Sequence, residues 1–149
     1  MLTIGWNKKS KDDFMKYLKV LENDLELLVR AEVEDSLLKI ESEAASKVPV
    51  DLGILKNSIQ SNPIKVQGGV ISGGVSVGAK YAPFVEFGTG AKVDVPAELN
   101  SYAKQYKGDG VKKLNLPARP FFYPEVWKQR NDLPKKIEQG LIKLMKRKQ

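Results

Sequence analysis

Four side chains of this sequence could take part in acid–base or nucleophilic chemistry, namely Asp51, Ser58, Lys80 and Glu86. The chain contains neither histidine nor cysteine, so a general base would have to be a carboxylate or a lysine with a strongly shifted pKa. Three of the four also have a structural interpretation: Asp51 as a helix N-cap, Ser58 as a surface residue of a short helix and Glu86 as a solvent-facing charge. We therefore predict that the protein is not an enzyme.

The same composition argues against a metal or cofactor site. Without histidine and cysteine the chain lacks the nitrogen and sulfur ligands of an ordinary zinc site. Oxygen-only sites for calcium or magnesium would still be open to it, but no loop rich in Asp and Asn has the spacing of an EF-hand. We expect no metal and no cofactor.

The net charge of +7 is unevenly distributed along the chain. Residues 101–149 carry 13 basic and four acidic side chains, whereas residues 1–50 carry eight basic and 10 acidic ones. This excess indicates either an anionic partner, such as nucleic acid or an acidic protein surface, or a solvated lysine-rich tail. The candidate contact residues are Lys112, Lys113, Lys135, Lys136, Lys143, Lys146, Arg147 and Lys148.

Aromatic side chains between these basic residues leave a second function open. They are Tyr102, Tyr106, Phe121, Phe122, Tyr123 and Trp127. Aromatic rings among lysines can stack on bases, although such rings more often pack in a core. The alternative function is therefore a basic module that binds nucleic acid without sequence preference.

Length and hydropathy predict a single domain over residues 1–149. The absence of cysteine favours folding inside a cell. We expect no signal peptide, because no apolar segment follows the first residues, and no membrane partner, because no apolar run approaches about 20 residues.

The longest predicted element is a helix over residues 10–47, which ends before Pro49. An apolar stripe at helical spacing runs through its first half and continues in a changed phase in the second half. Such a helix would be about 55 Å long, more than the diameter of roughly 40 Å for a domain of this size. It must either meet another chain in an oligomer or fold back as a helical hairpin, and the oligomer is favoured.

The middle of the sequence predicts a short helix followed by a hairpin. Leu52, Leu55 and Ile59 recur at helical spacing after the candidate cap Asp51. Residues 62–78 then alternate as two strands around a Gly68-Gly69 turn, with a bulge at Gly73 and Gly74. A twisted antiparallel hairpin needs a cover, and the long helix can provide it.

A second short helix is predicted after the hairpin, with Tyr81, Phe84, Val85 and Gly88 on its packing face and Glu86 off that face. Residues 91–118 are interpreted as an extended loop or arm, with a short helix at 96–106, a turn at 108–110 and an edge strand at 111–116.

The chain is predicted to close with a basic helix over residues 122–148. Residues 131–134 look like a restart of that helix, with Pro134 in its first turn. One stripe of this helix is apolar and consists of Leu133, Ile137, Leu141 and Leu144.

Three motifs occur in a fixed order between these elements. Residues 48–59 read VPVDLGILKNSI, residues 77–89 read VGAKYAPFVEFGT and residues 118–124 read ARPFFYP. They resemble the blocks of the tail-component, or neck, protein family of long-tailed bacteriophages and prophages, from about residue 12 to residue 146. Leu52 departs from the polar residue that is frequent in that family. The motif positions are Pro49, Asp51, Gly53, Leu55, Ser58, Ile59, Tyr81, Ala82, Val85, Glu86, Phe87, Gly88, Thr89, Arg119, Pro120 and Phe121.

The resemblance implies an α+β fold, with a long helix packed on a small twisted antiparallel sheet. It implies a virion structural protein without catalysis, placed at the head–tail junction in the neck or in tail completion. The expected partners are further copies in a homo-oligomeric ring, a connector or head-closure protein, and a tail-terminator or tail-tube protein. DNA in the lumen of the ring is a further candidate. The expected location is the virion, and the host cytoplasm during assembly.

Overall fold

The computed structural model describes residues 8–49, 52–89, 95, 97–107 and 116–147. Its fold is α+β, as predicted: a long N-terminal helix packs on a two-stranded antiparallel sheet, with a short middle helix and a C-terminal helix. The elements are α1 (Lys8–Lys47), α2 (Gly53–Asn57), β1 (Ile59–Gln67), β2 (Val70–Val77), α3 (Ala82–Phe87), a 3-10 turn (Ala97–Leu99), α4 (Asn100–Lys107) and α5 (Tyr123–Arg147).

Helix α1 is continuous over 40 residues, so the helical-hairpin alternative is wrong. At 1.5 Å per residue it is about 60 Å long. Every residue from 8 to 20 is exposed, whereas one side of the helix becomes partly buried from Leu21 onward and Ile40 and Ala44 are buried. The N-terminal third of α1 therefore extends beyond the rest of the described structure. The helix already includes Lys8, so Asp12 and Asp13 lie past its first turn.

The hairpin forms where the glycine pair predicts it. Gly68 and Gly69 have φ values of 57° and 78°, which the mirror-image turn of a two-residue hairpin loop requires and which glycine adopts without strain. The predicted bulge is present, but its extra residue is on β1: Asn62 pairs with Gly74 and Lys65 with Ser72, so Pro63 and Ile64 together oppose Gly73. A proline is tolerated there because a bulge leaves its position out of the ladder.

Helix α1 covers this hairpin, as expected. A Cβ atom on Gly73 would lie 2.6 Å from Leu37 Cδ1, so the glycine lets the strand approach the helix closely. Ser61 N–H donates to Glu41 Oε2 over 2.8 Å, which fixes β1 to α1 with a directional bond. Both apolar contact and hydrogen bonding therefore hold the sheet on the helix.

The middle helix is shorter than its apolar spacing indicates. Helix α2 has five residues, and Ile59 begins β1, where it pairs with Val77. The spacing of Leu52, Leu55 and Ile59 fits a helix, but the backbone of Ile59 is used by the ladder instead. Leu52 is at the N-cap and makes no side-chain capping bond. The predicted capping role of Asp51 lies outside the described residues.

Helix α5 runs for 25 residues with Pro134 in its interior, so the predicted restart at residues 131–134 is wrong. Pro134 is exposed, so water can reach the backbone carbonyl that the missing N–H leaves free. The predicted stripe of Leu133, Ile137, Leu141 and Leu144 is partly buried. Gly140 lies against α1, where an added Cβ would be 2.6 Å from Leu28 Cδ1. Packing against α1 keeps α5 continuous through the proline.

Ion pairs connect α1 and α5 along their antiparallel contact. Lys136 Nζ lies 3.1 Å from Asp35 Oδ2, and Lys128 Nζ lies 2.9 Å from Glu43 Oε2. Lys47 pairs with the buried carboxylate of Glu125 near the other end of the contact. These pairs fix the register of the two helices more than they add stability, because the Asp35 and Glu43 pairs are largely exposed.

We expect the melting temperature to fall as the pH drops below about 4.5. Hydrogen bonds from Lys39 and Lys136 hold the pKa of Asp35 below its ordinary value of 3.8. Hydrogen bonds from Ser61 hold the pKa of Glu41 below its ordinary value of 4.5. Because both pKa values are lower in the folded state, this stabilisation is complete above the unfolded pKa and is lost as pH falls through the folded pKa.

Thermal melts at a series of pH values between about 6 and 3 measure this loss. The melting temperature of the Asp35→Asn variant should fall less over the same pH range than that of the unmodified protein. Equal losses in the two proteins would contradict the assignment of the acid effect to Asp35.

The main apolar core lies at the C-terminal end of α1. It consists of Ala44, Val48, Leu55, Ile59, Ala82 and Phe121. Leu55 and Phe121 are its largest fully buried side chains. These six residues come from all three sequence motifs and from α1, so the motifs meet at this core.

Candidate functional site

The first two motifs are joined at Ser58. Its carbonyl oxygen accepts the N–H of Gly78 over 2.9 Å, and its Oγ accepts the N–H of Ala79 over 3.2 Å. The same Oγ donates to the carbonyl of Leu55 over 2.8 Å. Ser58 is half-buried and does not have the surface position that we predicted. Its hydroxyl connects the end of α2 to the chain leaving β2 and is not aligned with a base.

Glu86 joins the second motif to the third. The residue is only 6% exposed, so the prediction of a solvent-facing charge is wrong. Its Oε2 accepts the backbone N–H groups of Phe121 and Phe122 over 2.9 and 3.0 Å, and its Oε1 accepts that of Tyr123 over 2.9 Å. Tyr123 is the first residue of α5, so Glu86 supplies from α3 a carboxylate that accepts the free N–H groups at the N-terminus of α5, in addition to Glu125 in the first turn of that helix.

The inner face of α3 differs from the predicted one. Ala82, Glu86 and Phe87 are buried, whereas Tyr81 and Phe84 are 36% and 38% exposed. Glu86 faces inward because its carboxylate accepts backbone N–H groups at the start of α5. Ala82 precedes it by four residues and therefore lies on the same side of α3. Val85 does pack against the core, as expected, and its carbonyl accepts the N–H of Arg119 over 2.8 Å.

A turn at Gly88 completes the connection between the second and third motifs. Gly88 is buried and has φ 68° and ψ −172°, a backbone conformation that residues other than glycine rarely adopt. The next residue, Thr89, donates its N–H to the carbonyl of Leu116 and accepts the N–H of Leu116 at its Oγ1, each over 3.0 Å. Arg119 and Pro120 follow with exposed side chains, and Phe121 is 1% exposed in the core.

Other motif positions support the same junction. The carbonyl of Pro49 accepts the N–H of Leu52 over 2.9 Å, at the turn between α1 and α2. Gly53 begins α2 and has open space around it, with nothing within 4 Å of an added Cβ. The described motif residues thus act as turns, caps and core anchors.

An open pocket of about 680 Å³ lies beside this junction, between α3, α4 and the start of α5. Tyr102 and Tyr106 line it on the α4 side, and their rings meet those of Phe87 and Phe84 on α3 at centroid distances of 6.0 and 5.5 Å. A hydrogen bond with Tyr106, followed by burial, raises the pKa of Tyr102 above its ordinary value. The pocket offers apolar contact rather than acid–base chemistry.

Among the residues that the structure describes, the predicted candidates do not come together as a catalytic group. Both oxygens of Glu86 are bonded to backbone N–H groups, and Ser58 Oγ is bonded to backbone on both sides. Lys80 lines the pocket, but it makes no hydrogen bond or ion pair with Ser58 or Glu86 among the described residues. Asp51 lies outside those residues.

Two serine patterns known from hydrolases occur in the chain without the matching geometry. Residues 74–78 read GVSVG, but Ser76 is in the middle of β2, where its Oγ lies 3.4 Å from the carbonyl oxygen of Gln60. A catalytic serine of this pattern would instead be on a sharp strand-to-helix turn. The pattern Ser-x-x-Lys occurs twice: at residues 36–39 Ser36 is buried in α1 and Lys39 bonds to Asp35 over 2.7 Å, and at residues 101–104 Ser101 and Lys104 are exposed on α4.

Within the described ranges, no group of three or more His, Cys, Asp or Glu side chains is arranged to hold a metal ion. Among the helices described there, none combines the length and the apolar character that crossing a membrane would need.

The predicted basic contact residues fall into separate groups. Lys136 is tied to Asp35 and Gln129, and Lys135 lies 4.0 Å from Asp132 on its own helix. Lys143, Lys146 and Arg147 are exposed at the C-terminal end of α5. Lys112, Lys113 and Lys148 lie outside the described residues. The predicted stacking aromatics are largely engaged with the protein itself, since Phe121 is in the core and Arg130 lies 4.9 Å above the Trp127 ring.

Sequence comparison identifies the family. Residues 12–88, just over half of the chain, match the model of the family described as "Bacteriophage HK97-gp10, putative tail-component". The matched stretch runs from the first turns of α1 to Gly88 and includes the first motif, the second motif except Thr89, and the Ser58 connection. No curated protein and no solved structure matches the chain. The protein belongs to the HK97-gp10-like family of bacteriophage tail components.

Proposed function

We propose that this tail component is a non-catalytic structural subunit at the head–tail junction, where copies form a ring that joins the connector to the tail. Family membership gives the coarser part of this function, a structural role in the phage tail. The observation that carries the finer part is the exposed N-terminal third of α1, residues 8–20, which extends beyond the body of the domain.

That extension has the composition of a surface that other chains cover. Phe14, Met15, Tyr17, Leu18 and Val20 are each at least 40% exposed. Large apolar side chains concentrated on one projecting element favour contact with a neighbouring chain. A contact between two different patches on identical subunits closes into a ring when the rotation between subunits divides a full turn.

The roles of the polar motif residues support the non-catalytic part of this proposal. Ser58 and Glu86, the two candidates with nucleophilic or acid–base potential in the described motifs, hold backbone segments together. Such rigidity suits a junction protein, which has to keep its shape while it holds head and tail together.

The proposed neighbours are a connector or head-closure protein on the head side and a tail-terminator or tail-tube protein on the tail side. The proposed location is the virion, with assembly in the host cytoplasm. DNA passing through the ring could be tolerated by the exposed Lys143, Lys146 and Arg147, because contacts with phosphates need only positive charge. No observation favours a separate nucleic-acid-binding function, since Lys135 and Lys136 pair with acids.

Electron micrographs of particles produced without this protein test the proposed function. We expect full heads and complete tails that are not joined, and we expect joining to be restored when the protein is supplied from a plasmid. Intact virions in its absence would overturn the proposal. Heads joined to shortened or missing tails would place the protein in tail assembly rather than at the junction.

A further inference from the structure

One exposed stripe of α1 combines two patches of opposite charge. Its members recur at intervals of three or four residues, so they lie on one side of the helix. All are exposed, and Met15 is 57% exposed. The stripe consists of Lys8, Lys11, Met15, Lys19, Glu22 and Glu26.

The sheet covers this same side of α1 farther along the helix. Val33 and Leu37 follow Glu26 by seven and 11 residues, which returns them to the side of the stripe. Val33 is partly buried, and Leu37 lies against Gly73 of β2. The stripe is therefore the continuation of a packing face beyond the edge of the sheet, where no described element of the same chain covers it.

The charges on the two patches are segregated along the helix. Residues 8–20 contain five lysines and two aspartates, a net charge of +3, whereas residues 21–35 contain six acids and one arginine, a net charge of −5. None of the ion pairs among the described residues includes Lys8, Lys11, Lys19, Glu22 or Glu26. Like charges clustered on one helix do not stabilise that helix. The basic patch of one copy is, however, complementary in charge to the acidic patch of another copy.

We propose that the stripe is a self-association surface, in which the basic patch of one copy (Lys8, Lys11 and Lys19) binds the acidic patch (Glu22 and Glu26) of a second copy. This inference rests on the proposed oligomer and names the surface through which its subunits meet. The lysine stems and Met15 add apolar contact beneath the charges. Two different patches allow each copy to contact two neighbours, as in a ring, and they equally allow two antiparallel copies to pair reciprocally around a twofold axis; the mass from light scattering distinguishes the two arrangements.

Complementary charge reversal tests this surface. The first variant carries Lys8→Glu, Lys11→Glu and Lys19→Glu, and the second carries Glu22→Lys and Glu26→Lys. Light scattering of each variant alone at low ionic strength should show subunit dissociation constants raised by about tenfold or more. An equimolar mixture should assemble again, because the reversed patches are complementary to each other.

The matched control reverses three exposed lysines away from the stripe, Lys56→Glu, Lys65→Glu and Lys104→Glu, with the same change in net charge. It should assemble as the unmodified chain does. Circular dichroism of all variants separates loss of contact from loss of fold. Added salt should weaken the association of the unmodified chain, because a Debye length of about 10 Å at 0.1 M screens exposed charges.

Cysteine cross-linking gives a second measurement that does not depend on charge. The chain has no cysteine of its own, so every disulfide in a mixture of Lys11→Cys and Glu22→Cys chains joins introduced cysteines, and each variant oxidised alone gives the background from links between identical chains. We expect a disulfide-linked dimer from this mixture under mild oxidation and far less from Lys65→Cys mixed with Glu22→Cys.

Each contrary result has a distinct meaning. An oligomer that is indifferent to both reversals, or a mixture that fails to reassemble, overturns this surface and leaves the proposed junction function to the micrographs. A purified chain that stays monomeric at low salt overturns the self-association surface as well. Reversals that abolish binding to another tail protein without affecting self-association would assign the stripe to that protein and overturn the proposal.

Discussion

Replacing Glu86 with alanine should destabilise the fold by about 3–4 kcal/mol, a large share of the stability of a domain of this size. The change removes one buried carboxylate that accepts three backbone N–H bonds at the start of α5. Those N–H groups, including that of the fully buried Phe121, would then lack a partner, and the N-terminus of the helix would lose one nearby carboxylate while Glu125 remains in its first turn.

Urea denaturation followed by circular dichroism measures this loss. Glu86→Gln keeps an acceptor oxygen but not the charge or the second acceptor, so we expect an intermediate loss of about 1–2 kcal/mol. Glu138→Ala, on the exposed side of α5, is the control and should change stability by less than about 0.5 kcal/mol. If Glu86→Ala were as mild as Glu138→Ala, the capping role of Glu86 would be wrong.

Replacing Gly88 with alanine should cost about 3 kcal/mol or more. The positive φ of 68° is strained for alanine, and the new Cβ would lie 2.6 Å from the carbonyl oxygen of Leu116 and 2.8 Å from the nitrogen of Ala118. Both neighbours are backbone atoms, so relief requires the segment before α5 to move. That movement would break the pair of hydrogen bonds between Thr89 and Leu116.

The midpoint of urea denaturation is the measurement for Gly88 as well. Gly53→Ala is the matched control, because nothing lies within 4 Å of an added Cβ there and the residue is in a short helix. We expect that control to be neutral or stabilising by up to about 1 kcal/mol. A loss for Gly88→Ala no larger than the change in Gly53→Ala would show that the close approach of residues 116–118 is not needed for the fold.

Both substitutions act on the same junction from different sides. Glu86 holds the start of α5 by hydrogen bonds, and Gly88 lets the chain before α5 lie against the end of α3. Because α5 also packs along α1, loosening its start should weaken the support under the long helix that carries the proposed self-association surface.

Local signals were sufficient for several elements. Apolar residues at helical spacing, in a run without glycine or proline before Pro49, predict α1, and the change of phase within the stripe does not break the helix. Gly68 and Gly69 predict the turn, because two consecutive positive φ values favour glycine. The apolar stripe of α5 was also readable, and Leu133 and Ile137 are partly buried as expected.

Other features had signals that pointed the wrong way. The Asn, Asp and Pro at residues 131–134 have the composition of a helix start, but the contact with α1 holds α5 straight through them. Ile59 has helical spacing from Leu55, but pairing with Val77 places it in β1. In both cases the free energy of tertiary contacts outweighs a local conformational preference of about 1–3 kcal/mol.

The sequence by itself determined the class of the fold, the order of its elements and the three motifs that carry the family resemblance, of which the third lies outside the stretch that matches the family model. It also determined that chemistry depending on histidine or cysteine is closed to this protein, because those side chains are absent. Only the tertiary structure decided the role of Glu86. A carboxylate on an amphipathic helix normally faces water, and it is buried here because three N–H groups 35 to 37 residues away need an acceptor. Such long-range pairing has no local signal, so it becomes visible only when α3 and α5 are brought together.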